Sequence, residues 1–189
     1  MSAVLVAQRQ RHLKWRALDV VESLLMMACG LTLLGFTTSV MLDIVTRTIG
    51  HPWLWLQEVT STFFVYGIFI GAAAATRRND HLYLTALSEA LHGRARLVVE
   101  IVIRLVVLGV ALTMVYFGYI NFLRGFGSFR MPSMTPIASL YAAIPLSGVL
   151  IALFTVEQLA NGLRNGFEHP EDVEIADDGA APGAPSESI

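Results

Sequence analysis

Of the 189 residues, 54% are apolar and only 15% are charged, with a formal net charge of −2. A soluble domain carries about 25% charged residues, so this chain lacks a polar coat. Its apolarity excludes disorder throughout, its single cysteine (Cys29) excludes a disulfide scaffold, and its lack of a basic surplus argues against a nucleic-acid binder.

An integral membrane protein remains. A bilayer core about 30 Å thick is crossed by a helix of ~20 apolar residues, and four stretches qualify. Residues 1–16 form a basic start, with Arg9, Arg11, Lys14 and Arg16. Span one covers about 17–42, around LLMMACGLTLLGFTTSVML. It does not read as a cleaved signal, because Asp19 and Glu22 interrupt it and its apolar run continues well past Cys29. Pro52, Trp53 and Trp55 follow, and tryptophan prefers the headgroup level. Span two covers about 59–76. Residues 81–95 place Leu84, Leu87 and Leu91 at helical spacing beside Glu89, His92 and Arg94, the pattern of a short interfacial amphipathic helix. Span three covers about 97–123. The segment GFGSFRMPSMTP is a turn-rich connection. Span four covers about 137–157, where Pro145 and Gly148 favour a kink, and completes a membrane domain over 17–160. Residues 161–189 are an acidic tail expected to be disordered.

Lysine and arginine orient the spans. Eight lie before span one or between spans two and three: Arg9, Arg11, Lys14, Arg16, Arg77, Arg78, Arg94 and Arg96. Only Arg47, Arg124 and Arg130 lie in the other connections. The fold class is therefore all-α, four spans, with both termini cytoplasmic.

Charges inside spans cost about 2.5–3.5 kcal/mol each on insertion scales and default to functional candidates. Glu22, Glu100 and Glu157 all fall near the cytoplasmic ends of their spans. Arg104 follows Glu100 by four residues on the same helix face. These four are expected to form a polar cluster with Arg104 as its hub. The cluster reads as structural rather than as a relay, since no acid lies at mid-depth. At the opposite side Asp43 and Arg47 are four apart, and Glu58 opens span two, where the helix dipole favours an acid. Gly67, Gly71 and Ala75 line one face of span two and permit close helix approach, within the chain or to another subunit. With Trp53, Trp55 and Glu58 they are the candidate partner interface. Arg77 and His81 sit at the membrane edge, and the arginine is read as a phosphate contact and topology determinant.

No catalytic residue, cofactor site or metal site is expected. The histidines at 12, 51, 81, 92 and 169 lie outside the spans or at their edges, as haem ligands would not. Cysteine and histidine do not cluster as zinc needs, and HExxH, GxSxG and P-loop patterns are missing. A repeat or a pair of broken helices around a midplane site is also missing. Elimination favours an accessory subunit of a larger assembly. The alternatives are a small inner-membrane enzyme or redox partner using the polar cluster, and a self-contained small transporter.

Trp53, Glu58, the run Gly71-Ala72-Ala73, Arg77 and His81 follow one another across span two, Asp43 and Arg47 close span one, and Pro136, Tyr141, Pro145 and Gly148 lead through span four. In that order, over about residues 15–160, the chain resembles the small membrane subunit (Q subunit, DctQ-like) of TRAP transporters, the tripartite ATP-independent periplasmic solute transporters of prokaryotes. It departs from the family pattern at Gln57, where a second acid often precedes Glu58, and near Thr85, where an acid often follows the histidine. The resemblance implies an accessory subunit of the bacterial or archaeal cytoplasmic membrane. Its implied partners are a large membrane subunit that moves an organic acid with sodium, a periplasmic solute-binding protein touching the external loops transiently, and membrane lipid. The small subunit is not expected to hold solute or ions.

Overall fold

The computed structural model describes Trp15, residues 18–78 and residues 94–165. Helix α1 spans Asp19–Thr48, with Asp19 and Glu22 in its first turn and Arg47 in its last, as the helix dipole favours. It runs six residues past the expected end at 42, because Asp43 and Arg47 pair along it and Thr46 turns its hydroxyl onto the Asp43 carbonyl. Gly50 stops it in a left-handed conformation (φ 84°). There the amides of Gly50 and His51 bond back to the carbonyls of Arg47 and Thr46, a closure that glycine accommodates without strain. Helix α2 spans Trp55–Arg78, and α3 spans Arg94–Arg124 and tightens into a 3-10 turn over Gly125–Gly127.

A small hairpin follows. Strands β1 (Phe129–Arg130) and β2 (Thr135–Pro136) pair antiparallel, with Phe129 opposite Pro136 and Arg130 opposite Thr135. The last span is split into α4 (Ala138–Tyr141) and α5 (Ala143–Asn165). Pro145 is the cause: it has no amide for the Tyr141 carbonyl, and its ring crowds that position. The described residues are thus all-helical apart from the hairpin and a few connecting residues, and among them four helical segments are long and apolar enough to cross a membrane. The expected amphipathic helix at 81–95 falls almost wholly outside the described residues, as do residues 1–14, most of the tail and His81.

Packing runs in a row, α1 on α2, α2 on α5 and α5 on α3. Helices α2 and α5 are therefore inner and α1 and α3 outer. Leu25, Ala74 and Phe154 join α1, α2 and α5, while Ala73, Ala111 and Ile151 join α2, α3 and α5. In lipid, apolar surface gives helices little reason to associate, so close packing and interhelical hydrogen bonds must hold them. The bonds are present. The Ser147 hydroxyl donates to the Phe69 carbonyl (2.7 Å), the Gln158 amide to the Thr76 carbonyl (2.8 Å), and the Thr60 hydroxyl to Ser39 Oγ (2.9 Å). Close packing comes from glycine. A Cβ at Gly148 would stand 3.0 Å from the Ala111 carbonyl and from Val115, and one at Gly118 would stand 2.9 Å from the Pro145 ring. The outer faces carry exposed leucine, valine and aromatic side chains such as Leu31, Leu34, Val110 and Tyr116, a surface suited to lipid or to another membrane helix.

Gly148→Leu forces α3 from α5 and should destabilise by about 1–3 kcal/mol or more. Gly30, whose Cβ position is open, should accept alanine with no comparable loss. Thermal unfolding of the two detergent-solubilised variants measures the difference, and equal midpoints would show that the contact carries no weight.

Candidate functional site

The polar residues gather at the two ends of the helix row, and α2 connects them. At its C-terminal end Arg77 is fully buried. It follows Ala73 and Ala74 by one turn, so it shares their packed face, while Arg78 is carried round to a partly exposed position. Every guanidinium nitrogen of Arg77 is used. Nη1 donates to Glu22 Oε2 (2.7 Å), and Nε and Nη2 reach the two oxygens of Glu157 (both 3.2 Å). Nη2 also donates to Asp19 Oδ1 (3.0 Å) and to the Trp15 carbonyl (3.1 Å). The Phe154 ring lies 5.5 Å from the guanidinium carbon, within cation–π range. The cluster extends further. Arg78 Nε is 3.7 Å from Glu22 Oε1, the Trp15 amide donates to Glu157, and the Trp15 indole N–H donates to Asn161 Oδ1 (2.7 Å). One cation thus ties the segment before α1, α1 itself, α2 and α5 at a single depth.

The expected cluster is redistributed. Glu22 and Glu157 do meet, but the guanidinium that joins them is that of Arg77. Arg104 pairs with Glu100, one turn before it on α3. The i,i+4 spacing drew attention to Arg104, whereas the position of Arg77 depends on how α2 packs. Trp15, Asp19 and Asn161 join the cluster in addition to the residues expected from sequence. The signal for Asn161 is its place four residues after Glu157, on one face of α5.

At the other end of α2 the hairpin folds against the first turns. Glu58 accepts the Ser133 amide (3.2 Å) and the Ser133 hydroxyl. Arg130 donates to Thr62 Oγ1 and to the Glu58 carbonyl (both 3.0 Å), and the Tyr66 hydroxyl donates to the Ser139 carbonyl (2.7 Å). Trp53 and Trp55 stack nearby with ring centres 5.9 Å apart, both about half exposed. Asp43 and Arg47 form their own exposed pair at 2.8 Å on α1. Glu58 is therefore engaged within the chain, and its partners Arg130 and Ser133 come from a turn-rich loop whose sequence carries no signal for these contacts.

The glycine stripe separates into two kinds of position. Gly67 faces α1, where a Cβ would lie 3.3 Å from the Thr32 hydroxyl, whereas the Cβ position of Gly71 is open. Both border an apolar groove of about 380 Å³ between α1 and α2, with Cys29, Phe36 and Phe64 on its walls. Ala75 is half-buried further along α2. Among the described residues, no group of three or more His, Cys, Asp and Glu is arranged to hold a metal ion.

Four apolar helical segments, with charge gathered toward their ends and Arg104 the deepest, define a small multi-span helical membrane protein. A family model described as "Tripartite ATP-independent periplasmic transporters, DctQ component" matches residues 36–165. The chain belongs to that family and is a multi-pass protein of the bacterial inner membrane. It is similar to the sialic acid TRAP transporter small permease protein SiaQ of Vibrio cholerae, with 25% identity over 131 residues, 66% of this chain and 75% of that protein. It is also similar to the sialic acid TRAP transporter permease protein SiaT of Haemophilus influenzae, with 22% identity over 127 residues, 66% of this chain but only 20% of that much longer protein.

Removing one member of a buried charge network leaves its partners uncompensated, at a cost of about 3–5 kcal/mol. Arg77→Met should therefore sharply lower folded yield and melting temperature, and Arg78→Met should do much less. Matching losses in a thermal unfolding assay would show that Arg77 is not the hub.

Proposed function

We propose that this chain is the small accessory subunit of a sodium-coupled, binding-protein-dependent TRAP transporter for an organic acid. It pairs with the large membrane subunit as part of the fixed scaffold. The Arg77 end faces the cytoplasm, both termini are inside, and the hairpin end faces the periplasm, where a solute-binding protein touches the external connections transiently. The chain carries no enzymatic activity of its own. Solute and sodium are handled by the large subunit.

The placement of charge carries this reading. The long apolar stretches contain no Asp, Glu, Lys or Arg between positions 23 and 42, 59 and 76, 105 and 123, or 137 and 156. An ion or an organic acid crossing the membrane needs polar contacts at mid-depth, and here the buried charges lie toward the ends and are paired with one another. The match to one fifth of a much longer permease protein supports the pairing, because in that relative a region like this chain is joined to a larger polypeptide.

The open Cβ position at Gly71 makes it the cleaner probe of the partner interface. Gly71→Leu fills the α1–α2 groove without an internal clash and should cut co-purification with the large subunit several-fold at an unchanged melting temperature. Undiminished recovery of the complex would remove the groove from the interface. Solute uptake by vesicles containing this chain alone would overturn the accessory role itself.

A further inference from the structure

We propose that the free face of the hairpin at residues 128–137 lies in the lipid headgroup layer and anchors that end of the protein to the membrane. This is independent of the transporter reading. Depth is the first argument. Arg130 and Ser133 bond to Glu58 and Thr62, and Ser139 just beyond accepts from Tyr66. At 1.5 Å per residue, Trp55 to Thr62 spans about 10 Å along α2. The segment is thus folded down beside the first turns of α2 rather than raised above them. Helix α2 has 24 residues, about 36 Å, against a hydrocarbon core of about 30 Å. Its first turn therefore lies in the boundary layer, and the hairpin lies there with it.

Chemistry is the second argument. The single charged residue between Gly125 and Pro136 is Arg130, and its guanidinium is turned onto α2. The large side chains that face outward are Phe129, Met131 and Met134, which are 55%, 76% and 58% exposed, and the exposed Ser133 and Thr135 beside them hydrogen-bond to Glu58 and to each other. Met134 holds a left-handed backbone (φ 55°) that glycine adopts more easily. A side chain is kept there at some conformational cost. The backbone is also fit for a boundary layer. The strands pair, Met134 N donates to the Arg130 carbonyl (2.8 Å), and Ile137 N donates to the Ser128 carbonyl (2.9 Å).

Continuity identifies the occupant. Tyr119, Leu123 and Phe126 recur at helical spacing and are exposed along α3 and its 3-10 turn, and exposed Phe129 and Met131 follow them in the chain. The stacked Trp53 and Trp55 stand at the start of α2, at the level such rings occupy in a membrane. A face without an outward charge, whose Ser133 and Thr135 hydroxyls are already hydrogen-bonded and whose projecting side chains are pliable methionines and a phenylalanine, suits fluid lipid.

The test uses the whole chain with Cys29→Ala, spin-labelled at Met131→Cys or Met134→Cys. It is reconstituted in phospholipid vesicles both alone and as co-purified with its membrane partner. Val110→Cys, exposed on α3, gives the lipid reference. At both hairpin positions oxygen should relax the label several-fold more than a water-soluble nickel chelate does, equally at low and high salt. Dominant relaxation by the chelate would put the hairpin in water and overturn the proposal. So would labels shielded from both reagents in the co-purified form, which would mean that a protein covers the face.

Discussion

A buried guanidinium in a membrane protein must be surrounded or it will not be tolerated, and Arg77 is surrounded completely. Transfer of an unpaired charge from water into a low-dielectric medium costs many kcal/mol, and mutual attraction offsets this only when every donor and lone pair finds a partner. Three carboxylates, a backbone carbonyl and an aromatic face meet that condition. Neither Glu22 nor Glu157 is tolerable without the cation either, since both are fully buried. The partners come from the two ends of the chain, so the arrangement of α1, α2 and α5 is specified together.

Helix α2 consequently acts as the spine of the molecule. Its C-terminal end is held by charge, and its N-terminal end is held by the hairpin through Glu58 and Thr62. Between them, small residues let α5 pack closely and let hydroxyl and amide groups cross to its carbonyls. Polar atoms that would be liabilities in lipid become the contacts that set helix order. The outward faces of α1 and α3 remain apolar and available to lipid or to another membrane helix.

The spans were legible because hydropathy and length suffice to find them, and because lysine and arginine bracket them. Gly148 and Pro145 were legible as a disturbance in the last span, and the structure turns that disturbance into a split helix and a close contact with α3. The hub was less legible. Arg77 lies at a span end among other arginines, where sequence offers a lipid phosphate as an adequate partner. Only the face it shares with Ala73 and Ala74 marks it as inward. Arg104 looked stronger because its partner, Glu100, is local in sequence. Glu157 and Arg77 are 80 residues apart, and no periodicity reports a contact of that range. The tie from Arg130 to Glu58 was hidden for the same reason. Gly67 and Gly71 belong to one motif but have different surroundings, a distinction that requires knowing where α1 lies.

The central claim is that Arg77 and its carboxylates act as one unit. A double-mutant cycle tests it most directly, with Arg77→Met, Glu157→Gln and the pair compared by reversible unfolding in mixed micelles. Residues in one network typically couple by about 0.5–3 kcal/mol. The double variant should be less destabilised than the sum of the single losses, by about 1 kcal/mol or more. Simple additivity would mean that Arg77 and Glu157 stabilise the fold independently and would contradict the account.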